Sequence, residues 1–224
     1  MSLPVKLSCS LFLSTFFMVP QLSEAVMDTI ADALVETGYI VLSDTLPSSV
    51  CEQLLQSSKN ATWDDFRPAA IGRGGEQQLV DTIRSDQIRW LSEQRPADKL
   101  YLELMTQLRE GMNKRLFMGL FDFESHYAIY EPGAFYQKHS DVLQGSRNRI
   151  LTSVLFLNQG WQPEHAGELV VYDENDNKIE TIAPEFGKWV VFLSERFPHE
   201  VLRTEVNRYS IAGWFRVSNA NHGF

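Results

Sequence analysis

The sequence predicts a mainly β fold with supporting helices: a double-stranded β-helix (jelly roll) buttressed by N-terminal α-helices. Three observations lead there. From residue 124 onward the chain is a succession of short apolar runs bounded by Gly, Pro, Asn and Asp, as in a sandwich or barrel. Ahead of them stands one long segment, 97–120, with the apolar period of a helix. The 224 residues, 44% of them hydrophobic, suffice for one domain with a full core and contain no internal repeat.

Taken in order, MDTIADALVETGY from Met27 reads as a short amphipathic helix, with Ile30, Leu34 and Val35 at helical spacing and Gly38 as its stop. Residues 39–42 form a compact strand. Pro47-Ser48-Ser49 opens a second helix with Val50, Leu54 and Leu55 on one face. Residues 67–80, RPAAIGRGGEQQLV, are rich in Gly and polar groups and read as a mobile loop. Arg84-Ser85-Asp86 then leads into a strand, 87–91, carrying Trp90. In the long helix Leu100, Leu102, Leu104, Met105, Leu108, Met112, Leu116 and Phe117 give the broad stripe of a helix packed on a sheet. The strand runs that follow are 124–130, 134–139, 149–157, 167–172, 177–182, 188–193, 199–204 and 208–217.

A net charge of -9 and a pI near 5.0 argue against non-specific binding to nucleic acid or to anionic membrane surfaces, and no long Lys/Arg cluster offsets them. The two cysteines, Cys9 and Cys51, build neither a disulfide framework nor a Cys-based zinc site, which suits a reduced compartment.

The chemistry concentrates in 126–141, HYAIYEPGAFYQKHSD. Residues two apart on a strand share a face, so His139 and Asp141 can aim an imidazole and a carboxylate at one point. Of the other histidines, His126 in its strand reads as structural, and His165 and His222 as solvated. His199, like His139, stands at the end of an apolar strand run. HxD alone is a weak signal; the ordered set of HxD, a strand-rich interval, His199, Arg208 and Ser210 is stronger. Two His and one carboxylate on one side of a metal leave three positions open, the facial arrangement of non-haem Fe(II) oxygenases. A keto acid such as 2-oxoglutarate can chelate at two of these and O2 takes the third. The distal carboxylate then calls for a planar bidentate donor, which Arg208 supplies, with the Ser210 hydroxyl on the same strand face. The competing reading of Arg208 is a surface ion-pair residue.

At these residues the sequence resembles the Fe(II)/2-oxoglutarate-dependent prolyl hydroxylase domain family, the branch joining bacterial enzymes to the animal hypoxia-factor prolyl hydroxylases. The likeness runs from about residue 38 to 217. IRSDQIRWL (83–91), YEPGAFYQKHSD (130–141), RILTSVLFLNQGW (149–161), PHEV (198–201) and RYSIAGWF (208–215) resemble five ordered family blocks, with Ser85 where Gly is usual. The resemblance implies that His139, Asp141 and His199 bind Fe(II) and that Arg208 holds the 2-oxoglutarate C5 carboxylate. It implies that Tyr130 and Tyr136 line the cosubstrate end and that Arg149 contacts the substrate backbone. Trp214 would wall the pocket, and Arg84 and Asp86 would belong to a loop over the substrate. The alternative for that last pair is a local salt bridge shaping the loop.

The implied reaction is hydroxylation of a prolyl residue in a protein, with 2-oxoglutarate and O2 as cosubstrates, succinate and CO2 as products and ascorbate in support. Bacterial relatives are associated with a translation elongation factor as target. One departure stands out: Phe156 replaces a tyrosine whose hydroxyl helps bind the C5 carboxylate in the animal enzymes. That removes a donor worth about 0.5–3 kcal/mol, for which Ser210 can compensate.

Two rival functions stay open: the same chemistry on a free amino acid or small molecule, and a non-catalytic iron or 2-oxoglutarate sensor. The first 26 residues carry a weakly basic start, an apolar run too short to span a bilayer, and Ser23-Glu24-Ala25 as a loose cleavage site. They are read either as a secretory signal or as a leader ahead of a single cytoplasmic domain, 27–219, with a tail at 220–224. The second reading suits an Fe(II) enzyme fed by a metabolic keto acid.

Overall fold

The computed structural model describes residues 20–69, 82–142 and 148–218. Helix α1 (Glu24–Glu36) starts three residues before Met27 because Ser23 caps it, its hydroxyl accepting from the Val26 amide. Met27, Ile30, Ala31 and Leu34 are buried, whereas Val35 is 69% exposed. A step of 100° past Leu34 turns it to solvent. Gly111, in the long helix α3 (Pro96–Leu116), lets α1 lie close on it, since a Cβ there would sit 2.6 Å from the Met27 sulfur. Strand β1 (Tyr39–Leu42) and helix α2 (Ser48–Lys59) follow as expected, α2 burying Val50, Cys51, Leu54 and Leu55.

Of the segment expected as a loop, β2 (Arg67–Pro68) pairs with β3 (Gln87–Trp90), and residues 70–81 lie outside the described residues. Helix α3 (Pro96–Leu116) ends earlier than its apolar stripe suggested. Phe117 takes the left-handed conformation (φ 53°) that closes a helix, is 88% exposed, and is followed by Gly119 at φ 66°. Eight strands complete the fold: β4 (Leu120–Tyr130), β5 (Tyr136–His139), β6 (Arg149–Phe156), β7 (Leu169–Tyr172), β8 (Lys178–Ile182), β9 (Trp189–Leu193), β10 (His199–Val201) and β11 (Arg208–Val217).

They form two antiparallel sheets. The major sheet runs β1-β9-β6-β11-β4-β3-β2 and the minor sheet β5-β10-β7-β8. Alternation assigns the two faces of the major sheet. Tyr127, Ile129, Leu151, Leu155, Trp189, Val191, Ile211 and Phe215 point to the helices and build one core. Ala128, Tyr130, Val154, Phe156, Val190 and Phe192 point the other way and meet Leu169, Val171, Ile182 and Val201 of the minor sheet in a second. The double sheet with helices on one outer face is the architecture anticipated. Among the described residues no helix is long and apolar enough to cross a membrane.

Candidate active site

Strand register lays out the floor of the site row by row. Across the β4–β11 ladder, Arg208 faces Tyr130, Ser210 faces Ala128, Ala212 faces His126 and Trp214 faces Glu124. Strand β3 extends two rows, Ile88 beside Ala128 and Trp90 beside His126. Strand β6 extends three, Phe156 beside Ser210, Val154 beside Ala212 and Thr152 beside Trp214. All of these except Phe156 line a cavity of about 340 Å3, which the minor sheet closes with His139, Leu169, His199 and Val201.

The β5–β10 pairing sets His139 directly opposite His199, their rings 4.4 Å apart. Asp141 follows in the turn after β5. Its Oδ1 is 3.9 Å from His139 Nε2 and its Oδ2 is 3.6 Å from His199 Nε2. One ligand atom from each of the three lies within 4.8 Å of the others. His139 Nδ1 donates to the Gln137 carbonyl at 2.8 Å and His199 Nδ1 to the Phe197 carbonyl at 3.0 Å, so each Nε2 keeps its lone pair for the centre. Tyr136 stacks on His139 at 3.6 Å and 14°.

Burial, and then the neighbouring His199, push the His139 pKa down to about 3. Burial works to raise the pKa of Asp141, but the two imidazoles and the Thr152 hydroxyl at 2.7 Å outweigh it and hold the carboxyl ionised. Among the described residues no Lys or Arg pairs with that carboxylate. Two imidazole nitrogens and one buried carboxylate converging within 4.8 Å fit a divalent first-row metal such as Fe(II).

Arg208 is 1% exposed. Its Nε donates to the Gly167 carbonyl at 2.8 Å and its Nη1 to Ser210 Oγ at 3.2 Å, with Tyr130 at 4.9 Å and Phe156 at 5.1 Å from the guanidinium carbon. Gly167 has φ 76°, and a Cβ there would lie 2.9 Å from Thr204 and 3.2 Å from Arg208, so only glycine serves. Burial pulls the Arg208 pKa down to about 10. No carboxylate of the described residues stands within ion-pair distance, and a buried unpaired cation on a cavity wall calls for an anion. The surface ion-pair reading of Arg208 is thereby corrected.

At the other end of the floor, Arg149 stacks over Trp214 at 3.7 Å and pairs with Glu124 at 2.9 Å. Arg84 lines the cavity, lies 4.3 Å over the Tyr136 ring and grips Asp86 through two hydrogen bonds of 2.8 and 2.7 Å. Asp86 is 1% exposed and does not itself line the cavity, and its pairing with Arg84 is a local salt bridge of the kind the alternative reading expects.

Sequence reasoning passed over three residues. His126 is buried, as a structural histidine should be, yet it lines the cavity between Trp90 at 5.3 Å and Trp214 at 5.5 Å. Its place four residues before Tyr130 on the same strand was the available signal. Trp90 and Thr152 carried none beyond their strands. His165 is partly buried rather than solvated, its Nδ1 accepting from the Gln162 amide at 3.0 Å. His222 lies outside the described residues.

Residues 125–216, which hold the triad and Arg208, match the family model of the 2OG-Fe(II) oxygenase superfamily. The crystal structure of a Pseudomonas putida prolyl-4-hydroxylase superimposes with a TM-score of 0.78 at 36% identity, covering 86% of this chain and 100% of that one. A Trichoplax adhaerens prolyl hydroxylase, solved with a hypoxia inducible factor oxygen degradation domain peptide fragment, shares the fold with a TM-score of 0.76 at 24% identity, covering 86% and 90%. Human Egl nine homolog 1 is 28% identical over 143 residues, or 59% of this chain. The alignment covers 33% of the human protein, so the chain spans about a third of the length of the curated relatives it matches.

Proposed function

This chain belongs to the 2OG-Fe(II) oxygenase superfamily, and we propose that it hydroxylates a prolyl residue in a protein substrate, turning 2-oxoglutarate and O2 into succinate and CO2. The observation that carries the reading is the buried, anion-free Arg208 on the wall of the cavity that His139, Asp141 and His199 also line. A dicarboxylic keto acid would join those two features, its far carboxylate suited to the guanidinium and its keto-acid end to a metal held by the triad.

Bound Fe(II) supplies the oxygen activation and C–H oxidation that no side chain here can perform. The chain's own part is positioning. His139, His199 and the Asp141 carboxylate would hold the ion. Arg208 and Ser210 hold the cosubstrate tail, and Tyr130 walls it. Ala128 and Ala212 leave room on the floor where larger side chains would fill it. Ile88, Val154, Leu169 and Val201 keep the interior apolar and exclude water. Trp90, Trp214 and Arg149 offer an aromatic and cationic rim suited to an extended peptide. Likeness to the Pseudomonas putida prolyl-4-hydroxylase supports proline as the target.

The test is anaerobic addition of 2-oxoglutarate to the Fe(II)-loaded protein, watching for the weak visible charge-transfer band. Admission of O2 with prolyl peptides or with free amino acids follows, read by mass spectrometry for one added oxygen. Decarboxylation stimulated by amino acids and not by peptides would replace this reading with the small-molecule one. A band with no turnover on either would leave a sensor.

A further inference from the structure

Each of the three candidate ligands has its own orienting partner. For the two imidazoles it is a main-chain carbonyl. For Asp141 it is a side-chain relay. Thr152 Oγ1 lies 2.7 Å from Asp141 Oδ2 and 2.9 Å from Ser194 Oγ. A hydroxyl has one proton to give, and an ionised carboxylate only accepts. Thr152 therefore donates to Asp141, and Ser194 donates to Thr152.

Asp141, Thr152 and Ser194 are 4%, 1% and 0% exposed, and they come from three separate segments: the turn after β5, strand β6 and the turn after β9. The Ser194 amide is itself tied to the Ile150 carbonyl at 3.0 Å. The cross-strand neighbours of Thr152 are Phe192 and Trp214, both aromatic. The hydroxyl's partners are the carboxylate and Ser194.

A carboxylate facing a divalent ion can offer it one oxygen or both. The imidazoles do not decide between these, because one Nε2 lies near each oxygen of Asp141. The Thr152 hydrogen bond breaks that symmetry, because it occupies one lone pair of Oδ2 and none of Oδ1. We infer that Thr152, backed by Ser194, is a positioning residue that restricts Asp141 to a single-oxygen contact with the metal. The coordination position so spared is one that a chelating keto acid requires. The inference rests on the function proposed above and deepens it.

Thr152→Val removes the hydroxyl and keeps the shape; Thr152→Ser keeps the hydroxyl. Each variant is loaded anaerobically, with Mn(II) to measure metal affinity by electron paramagnetic resonance and with Fe(II) to titrate 2-oxoglutarate by the visible band. The expected result is that Thr152→Val binds metal within about threefold of wild type yet needs at least about ten times more 2-oxoglutarate, whereas Thr152→Ser matches wild type. Ser194→Ala should shift 2-oxoglutarate affinity the same way by a smaller factor. It carries the test if Thr152→Val fails to give a native circular dichroism melt.

Unchanged 2-oxoglutarate affinity in the folded variants, with a normal wild-type band, overturns this inference alone. So does a loss of metal affinity with 2-oxoglutarate binding unaltered at saturating metal. A wild-type protein that takes up Fe(II) and never develops the band overturns the proposed function and this inference together.

Discussion

Arg208 and Tyr130 face each other across the β4–β11 ladder, the guanidinium carbon 4.9 Å from the ring centroid. The arginine is thus held against an aromatic wall with its charge unmatched. Arg208→Ala should raise the KM for 2-oxoglutarate roughly 10- to 150-fold, the equivalent of a charged hydrogen-bond pair worth about 1.5–3 kcal/mol. Arg208→Lys should fall between, because an ammonium cannot grip a carboxylate with two parallel bonds. Steady-state decarboxylation at varied 2-oxoglutarate measures both.

Ser210 Oγ accepts from Arg208 at 3.2 Å, which leaves its own proton to give to the same ligand. Ser210→Ala should weaken 2-oxoglutarate binding by roughly 2- to 10-fold, a neutral hydrogen bond's worth of about 0.5–1.5 kcal/mol. Affinity in the anaerobic Fe(II) titration is the readout. An unchanged value would mean that the loss of the family tyrosine at Phe156 is not compensated here.

Trp90 is 43% exposed at the rim of the cavity, and it touches His126 rather than the triad or Arg208. Trp90→Ala should lower kcat/KM for a prolyl peptide by about tenfold, the cost of a well-placed aromatic contact of about 1–2 kcal/mol. The KM for 2-oxoglutarate should not move. Varying each substrate in turn separates the two.

His126 makes stability depend on pH. Burial first, and then the charge of Arg84, push its pKa down to about 4 from the usual 6.5. Between those values the unfolded chain binds a proton that the folded chain refuses, so stability falls as pH drops through that window and is unaffected above it. The loss approaches about 1.4 kcal/mol per pH unit. Urea unfolding of the metal-loaded protein at pH 7, 5.5 and 4.5 should show a shallower decline for His126→Met than for wild type.

Phe117 occupies a left-handed position with its ring in solvent. Phe117→Gly should stabilise the protein by about 0.5–1 kcal/mol, because the strain relieved exceeds the entropy glycine adds to the unfolded chain. The midpoint of urea unfolding would report it.

Much of the molecule could be read from the chain because its signals are local. Short apolar runs between Gly, Pro, Asn and Asp marked the eight strands, and the order His139, Asp141, His199, Arg208 marked four residues that line one cavity. Val35 and Phe117 were misplaced because helical spacing still reads apolar at both: Val35 lies one 100° step past the last buried position of its helix, Leu34, and Phe117 lies at the left-handed end of its own. Thr152, Trp90 and the second role of His126 are a different case. Each acquires its meaning from a neighbour on another segment, Asp141 in the turn after β5 for the first and the Trp90–His126 row for the others. Register between strands is set by tertiary pairing, so of the three only His126, four residues before Tyr130 on one strand face, left a trace along its own strand.

The minor sheet ends in β5, a strand of four residues with β10 on one side and residues 83–85 on the other. His139 closes that strand and Asp141 follows it at once, while His199 belongs to β10. An ion held by all three would therefore rivet the border of the sheet shut, and its departure would release two of its three holders as the border peels. Amide hydrogen exchange along β5 would then act as a gauge of metal occupancy, slow in the loaded protein and fast in the stripped one, while the helix-backed core stays equally protected in both.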